Sequence, residues 1–400
     1  MGSVAELPSY EEALAQVLAR VRPLPAETVA LAAAAGRVLG EPGRARIDLP
    51  PFPSSAMDGF AVRAEDTPGR LPVGFRIAAG RPSSRPLAPG EAMGIATGGV
   101  VPEGADTVVP IEVVVDHDND VEISNAARVG ANVRARGRDA TAGDVVVETG
   151  VRLGPLQIGA LAAAGVPEVV CARRPRVALV TTGTELRPAG EPLGPGQIYE
   201  SNGVMLAAQL ESAGAEVERL GVAVDSEEAH RDALERGLAV DVLVTSGGVS
   251  VGQHDLVRRV EAELGVEEVF WRVAVKPGKP VSFGVRGLTL VFGLPGNPVS
   301  SLVDCELFVR PALLALQGAR DPGPHFSMGR LAAPLRQDPA RAEFSRARVR
   351  IGEDGAVLEP ITGQESHMIA RAAEADALVL VPAGDGELAA GAAVRYLNLC

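Results

Sequence analysis

Lysine occurs only twice in this 400-residue sequence, at Lys276 and Lys279; the other 36 of its 38 cationic side chains are arginine (38 − 2). Ammonium is a compact point charge on a slim stem, whereas guanidinium is a wide planar fork. Two lysines kept in one KPGKP loop (Lys276–Pro280), stiffened by Pro277 and Pro280, point to a tight pocket for an anion. The chain carries a net charge of −13, so an anionic ligand needs such a locally positive site. A second loop, TSGGVSVGQHD (Thr245–Asp255), has the complementary chemistry. Gly247, Gly248 and Gly252 free the backbone to present N–H groups to an anion, and Ser246 and Ser250 add hydroxyl donors. It is neither a Walker A loop nor a G-x-G-x-x-G fingerprint, and taken alone it reads equally well as a tight turn.

Three acids stand in comparable loops: Glu185 in TGTEL (Thr182–Leu186), Asp225 in VDSEE (Val224–Glu228) and Asp255. An anion facing three carboxylates is repelled unless a cation intervenes, so Mg²⁺ between phosphate and carboxylates is the expected arrangement. Each acid alone could instead complement a helix N-terminus, Asp225 most of all because a helix follows it. The fifth loop, LPGNPVSS (Leu294–Ser301), brings Pro295, Asn297, Pro298 and Ser300 as further candidates for binding substrate. No residue looks like a covalent nucleophile. Cys171 and Cys305 lie outside these loops, Ser250 lacks a neighbouring His–Asp pair, and His254 reads as a surface histidine.

All five loops follow predicted strands. Strands are expected at 177–181, 216–222, 240–245, 269–275 and 288–292, and helices at 202–213, 227–237, 256–264 and 299–317. That alternation predicts a doubly wound, mostly parallel α/β domain over 173–320, in which ligands bind outside the carboxyl ends of the strands. If the strands are parallel, the five loops open on one edge.

Around this centre three further parts are expected, making a multidomain α/β protein. Ser9 and Glu12 form a capping box for a first helix, and an alanine-rich second helix is expected over 28–39. Gly154-Pro155 starts another helix to about Ala164, giving a discontinuous helical domain, 1–48 plus 141–172. Between its halves, 49–140 reads as a β-rich insertion with strands at 107–111 and 113–115; a further short strand is expected at 145–148. It carries PPFPSSAMDGFAV (Pro50–Val62), whose Asp58-Gly59 tips a rigid turn. Residues 321–400 form a terminal, barrel-like β domain with strands at 347–351, 377–381 and 393–397.

Composition excludes several classes. With 46% apolar and 22% charged residues the chain is an ordinary globular sequence, and no apolar run is long enough for a membrane span. The net negative charge argues against nucleic-acid binding. The acidic N-terminus does not resemble a secretory signal. Three scattered cysteines fit a reducing, cytoplasmic compartment rather than a disulfide framework, and no His/Cys spacing suggests zinc.

Together TSGGVSVGQHD, VKPGKP and GLPGNPVS resemble the hallmark stretches of the molybdopterin molybdenumtransferase family in content and spacing. SSAMDGFA, ATGGVVPEGADTVVPIE (Ala96–Glu112) and GRDA (Gly137–Ala140) fit it too, with looser matches at AEFSRARV (Ala342–Val349) and GQESHM (Gly363–Met368). The resemblance implies an elongated homodimer of four-domain subunits. It implies a reaction in which adenylylated molybdopterin and molybdate give molybdenum cofactor and AMP with Mg²⁺. Position by position, it implies Asp58, Thr97, Glu185, Asp225 and Asp255 as functional groups. Ser246, Lys276, Lys279, Arg346 and Ser366 would hold oxyanions, and Pro295 and Pro298 would shape the pocket floor. Phe60 stands where the family often has Tyr, so no hydroxyl is essential there, and Pro53 replaces a polar residue. The homodimer's active sites are expected to be composite, with a molybdopterin adenylyltransferase as a further partner. Two other readings stand beside this one: an adenylyltransferase-like enzyme sharing the central domain, and a non-catalytic molybdopterin-binding scaffold. The flanking SSAMDGFA domain opposes the first; the presence of the acids and both lysines opposes the second.

Overall fold

The computed structural model describes residues 7–223, 227–247 and 256–399. Its centre is a six-stranded sheet, numbered here as β1 (Arg176–Thr182), β2 (Glu216–Ala223), β3 (Val242–Ser246), β4 (Glu267–Trp271), β5 (Ser282–Arg286) and β6 (Thr289–Leu294), in the order β2-β1-β3-β6-β5-β4. Strands β2, β1, β3 and β6 pair in parallel, and β5 is antiparallel to both β6 and β4. Strand β4 therefore runs with the parallel set, and the loops after β1, β2, β3, β4 and β6 leave the same edge. The hairpin strand β5 is absent from the sequence reading, which carried the preceding strand on to residue 275. In the structure that strand stops at Trp271, and Arg272 adopts φ +73°.

Helices Asn202–Ser212, Glu227–Gly237 and Leu256–Glu263 fall where the periodicity put them. A continuous helical run follows β6: Pro298–Asp304, a π-helical turn over Cys305–Val309, then Arg310–Leu316. The main core joins the buried faces of β1, β3 and β6 to this run and to the first helix, Tyr10–Arg20, through Tyr10, Ala13 and Val17. The Ser9 capping box forms as expected: Ser9 Oγ accepts from Glu12 N at 3.1 Å, and Ser9 N donates to Glu12 Oε2 at 2.8 Å.

The expected helix over 28–39 does not form. Ala26–Ala30 is a strand paired antiparallel with Glu168–Ala172, followed by a 3₁₀ turn at Leu31–Ala33, and Leu39 bridges Cys171. Alanine content favours a helix locally, but pairing lets Leu31, Ala34 and Leu39 bury against Val169 and Cys171, and that burial prevails over weak propensity. Pro155–Ala163 is helical, with Pro155 at its first turn.

The insertion holds a six-stranded sheet ordered 107–110, 59–62, 92–95, 69–77, 120–123, 114–116. In the C-terminal region, strands 342–352, 355–360, 326–331, 393–398 and 377–381 close into a barrel, because 342–352 pairs with 377–381 as well as with 355–360. Among the described residues no helix is long and apolar enough to cross a membrane.

Candidate functional site

At the carboxyl edge of the sheet a cavity of about 310 Å³ opens between the loops after β1, β3 and β6. Glu185, Glu200, Asn202, Ser246, Asn297 and His367 are among its lining residues. Ser246 ends β3 and is buried. Gly247 follows with φ +96°, and its N–H donates to Leu294 O at 3.0 Å. A side chain at Gly247 would put its Cβ 2.7 Å from Thr182 Oγ1 and 2.9 Å from the Thr182 carbonyl oxygen, so glycine is required for the β1 and β3 loops to meet.

Asn202, at the start of the 202–212 helix, joins these loops. Its Nδ2 donates to Ser246 Oγ at 2.9 Å and to Gly296 O at 2.8 Å. Ser301 Oγ donates to Pro295 O, and Ser246 Oγ reaches the same carbonyl at 3.3 Å, so the LPGNP turn is held from beneath. Ser300 is buried on the same first helical turn, which Pro298 begins. Asn297 Nδ2 donates to Ser366 Oγ at 2.9 Å, and Val299 N donates to Ser366 O at 3.1 Å. Ser366 thereby brings part of the C-terminal region, with His367 beside it, onto the sheet edge.

Arg346 organises that C-terminal segment from behind. It is fully buried, and its guanidinium donates to the carbonyls of Met368 at 3.1 Å, Gly363 at 2.9 Å and Glu365 at 3.2 Å. Burial holds its pKa below the usual guanidinium value. In this arrangement the guanidinium faces the loop's own carbonyls, which fixes the loop bearing Ser366.

The lysine loop lies on the same edge but opens elsewhere. Val275–Lys276 pairs in parallel with Ala342–Glu343 of the barrel, and Lys276 Nζ lies 2.9 Å from Glu343 Oε2. Lys279 is exposed and lines a larger cavity, about 1540 Å³, between the first helix, β4 and residues 338–342. Neither lysine lines the Glu185 cavity. On the insertion, Asp58 and Thr97 form one exposed unit, with Thr97 N donating to Asp58 Oδ1 at 2.7 Å. Neither lines the Glu185 cavity or the Lys279 cavity.

Asp225, Gly248, Ser250 and Asp255 lie outside the described residues. Among the described residues there is no cluster of three or more His, Cys, Asp or Glu side chains suited to a metal. Glu185 is the described member of the expected Mg²⁺ set. It is an oxygen donor at the cavity wall, close against the Gly183 backbone, in surroundings of hydroxyl, amide and carboxylate groups. That donor chemistry fits a hard cation. Asn202, Glu200 and His367 escaped the sequence reading. Asn202 is the first residue of the predicted helix, after Ser201, and His367 adjoins Ser366, so position at an element's start was the available signal.

Comparison with known proteins agrees across the whole chain. Residues 8–165 match the family model described as the MoeA N-terminal region (domain I and II), 178–315 that of a probable molybdopterin binding domain, and 328–399 that of the MoeA C-terminal region (domain IV). The chain is 38% identical to molybdopterin molybdenumtransferase 2 of Mycobacterium tuberculosis, covering 100% of both chains. It is 35% identical to the molybdopterin molybdenumtransferase of Haemophilus influenzae over 93% of this chain and 94% of that one. Among solved structures, a molybdopterin biosynthesis MoeA protein from Pyrococcus horikoshii superposes with a TM-score of 0.83 at 28% identity, covering 98% of this chain and 100% of that one. With sheet edge, loops and full-length relatives in agreement, the chain belongs to the molybdopterin molybdenumtransferase family.

Proposed function

We propose that this protein inserts molybdate into the dithiolene of adenylylated molybdopterin, forming molybdenum cofactor and releasing AMP. The observation that carries the reading is the convergence of the β1, β3 and β6 loops, bridged by Asn202, on a polar cavity walled by Glu185. Ser246, Gly247, Asn297 and Ser366 supply hydroxyl, amide and backbone groups to seat the organic substrate. Lys276 and Lys279 hold the molybdate dianion, giving proximity and charge neutralisation near the dithiolene sulfurs. Glu185, with Asp225 and Asp255, would hold Mg²⁺. Bound there, Mg²⁺ would offset the negative charge on the adenylyl phosphate as AMP leaves.

The protein acts as a homodimer in which Asp58 and Thr97 complete the partner's site; their place on the insertion, outside both cavities of their own chain, supports this. Cys171 and Cys305 are free thiols, which suits a cytoplasmic enzyme. The adenylylated substrate comes from a molybdopterin adenylyltransferase, a partner for direct transfer.

The test is a single-turnover reaction with adenylylated molybdopterin, with and without Mg²⁺, and with molybdate or tungstate. AMP release should require both the oxyanion and Mg²⁺. Joint removal of two of the three carboxylates, as in Glu185→Ala with Asp255→Ala, should abolish turnover while the fold persists. Full activity of that double variant with an unchanged Mg²⁺ response would make the acids structural caps.

A further inference from the structure

Asp304 sits where the helical run after β6 passes beneath the lysine loop. Val303, Cys305, Leu307 and Phe308 are buried around it, and Ser300 and Ser301 lie buried one turn earlier on the same face. Asp304 is fully buried, and among the described residues neither carboxyl oxygen has a hydrogen-bond partner. Two residues on, Glu306 shows what the helix does with an acid it can satisfy, pairing with Arg310 Nη1 at 3.0 Å. Asp304 has no such cation, and aspartate is a poor residue for a helix interior. A buried polar group left unpaired is costly, so the fold alone gives no reason for an acid here.

What the carboxyl does touch is the lysine loop. Gly278, the residue between Pro277 and Lys279, has φ +113°. A side chain there would put its Cβ 2.1 Å from Asp304 Oδ1 and 2.7 Å from Oδ2. The carboxyl thus fills the space a side chain at Gly278 would take. The rest of the loop is pinned at its edges: Val281 N donates to Gly278 O at 3.1 Å, Val273 N donates to Lys279 O at 3.1 Å, and Lys276 pairs with Glu343. Asp304 lies directly beneath its middle. Directly after it the helix widens into the π-helical turn at Cys305–Val309, a distortion frequent at functional sites.

We propose that Asp304 is a positioning residue for molybdate, its carboxyl setting the height of Gly278 and so the placement of Lys276 and Lys279. An uncharged acid is the form that suits a dianion site. A carboxylate in the same place would add negative charge behind the loop and compete for its lysines. Burial pushes the acid well above the usual carboxylate range, which favours its protonated form. The group does not touch substrate; it acts through the loop.

This rests on the reading of Lys276 and Lys279 as the molybdate site, and the experiment separates the two. Steady-state AMP release gives KM for molybdate and for adenylylated molybdopterin in wild type, Asp304→Asn, Asp304→Ala and Lys279→Ala. The isosteric, uncharged Asp304→Asn should keep both KM values within about twofold, as a volume-conserving change does. Asp304→Ala should raise the molybdate KM roughly tenfold or more, the effect of misplacing charged groups by a fraction of an ångström, while leaving the other KM unchanged. Trp271, the sole tryptophan, ends β4 beside this loop, so quenching of its fluorescence by molybdate alone gives an independent binding curve. If Asp304→Ala does not accumulate as folded protein, Asp304→Ser takes its place. The inference is overturned if Asp304→Asn fails as badly as Asp304→Ala, since the negative charge would then be needed. It is also overturned if the small variants leave the molybdate KM unchanged or raise both KM values equally, as general loosening would. Should Lys279→Ala itself leave the molybdate KM unchanged, the lysine reading falls and takes the inference with it. A rise in Lys279→Ala beside an unmoved Asp304→Ala sinks the inference alone.

Discussion

Replacing Asn202 removes the side chain that ties two of the loops around the Glu185 cavity to each other. Its amide makes hydrogen bonds of 2.9 Å to Ser246 Oγ and 2.8 Å to Gly296 O. Each such bond contributes about 0.5–1.5 kcal/mol net, so Asn202→Ala forfeits about 1–3 kcal/mol. The upper half of that range applies, because Ser246 is buried and keeps only long contacts, 3.3 Å to Pro295 O and 3.5 Å to Ser301 Oγ. If the loss falls on loop placement in the transition state, kcat/KM drops roughly 30- to 150-fold, at about 1.4 kcal/mol per factor of ten. Asn202→Asp sharpens the test. A carboxylate can accept from the Ser246 hydroxyl but has no hydrogen for the Gly296 carbonyl, and it adds charge to a cavity already walled by Glu185 and Glu200. The expected order is wild type, then Ala, then Asp, read by AMP release at varied adenylylated molybdopterin with circular dichroism to confirm folding. An alanine variant within twofold of wild type, or an aspartate variant that outperforms it, would refute the bridging role.

Two further outcomes follow from the lysine loop and the insertion. Lys279→Arg should lose most molybdate-dependent AMP release despite keeping the charge, because a planar fork presents its charge and donors differently from a compact ammonium; near-normal release would show that any cation suffices there. Asp58→Ala and Lys276→Ala homodimers should each be inactive, yet refolding the two together should restore part of the activity, since a mixed dimer with composite sites confines both lesions to one of them. Mixed dimers that form and stay dead would mean that Asp58 serves its own subunit.

The central sheet was legible because β1, β3 and β6 are mostly β-branched and aliphatic runs that end abruptly in Gly or Pro, and such runs bury on both faces. Parallel pairing then put the chemical loops on one edge without further information. Two errors share one cause. At 28–39 the alanines promised a helix, but the partner strand 168–172 lies far along the chain and cannot be weighed locally. At 282–286 the hairpin strand β5 was hidden because the run before it looked continuous, whereas Arg272 breaks it with a left-handed turn. In the site, Glu185 was visible as an acid out of place in a loop. Asn202 was not, since an asparagine before a helix is an ordinary start signal. Its role appears only when Ser246 and Gly296, 44 and 94 residues away, are brought within hydrogen-bond distance.

The lysines' surroundings bear on how an acidic protein handles a dianion. Lys276 is engaged by Glu343, which leaves the loop with one uncommitted ammonium, Lys279, among the described residues. That pairing is a weak competitor. The Lys276 side chain is 44% exposed while Glu343 is 13% exposed, so water screens the pair from the lysine side only and its contribution stays modest. If the loop holds molybdate as proposed, the oxyanion would compete with Glu343 for Lys276. Glu343 holds Lys276 in place until then, and because Val275–Lys276 is also paired through its backbone to Ala342–Glu343, the loop keeps its position when the side chain changes partner.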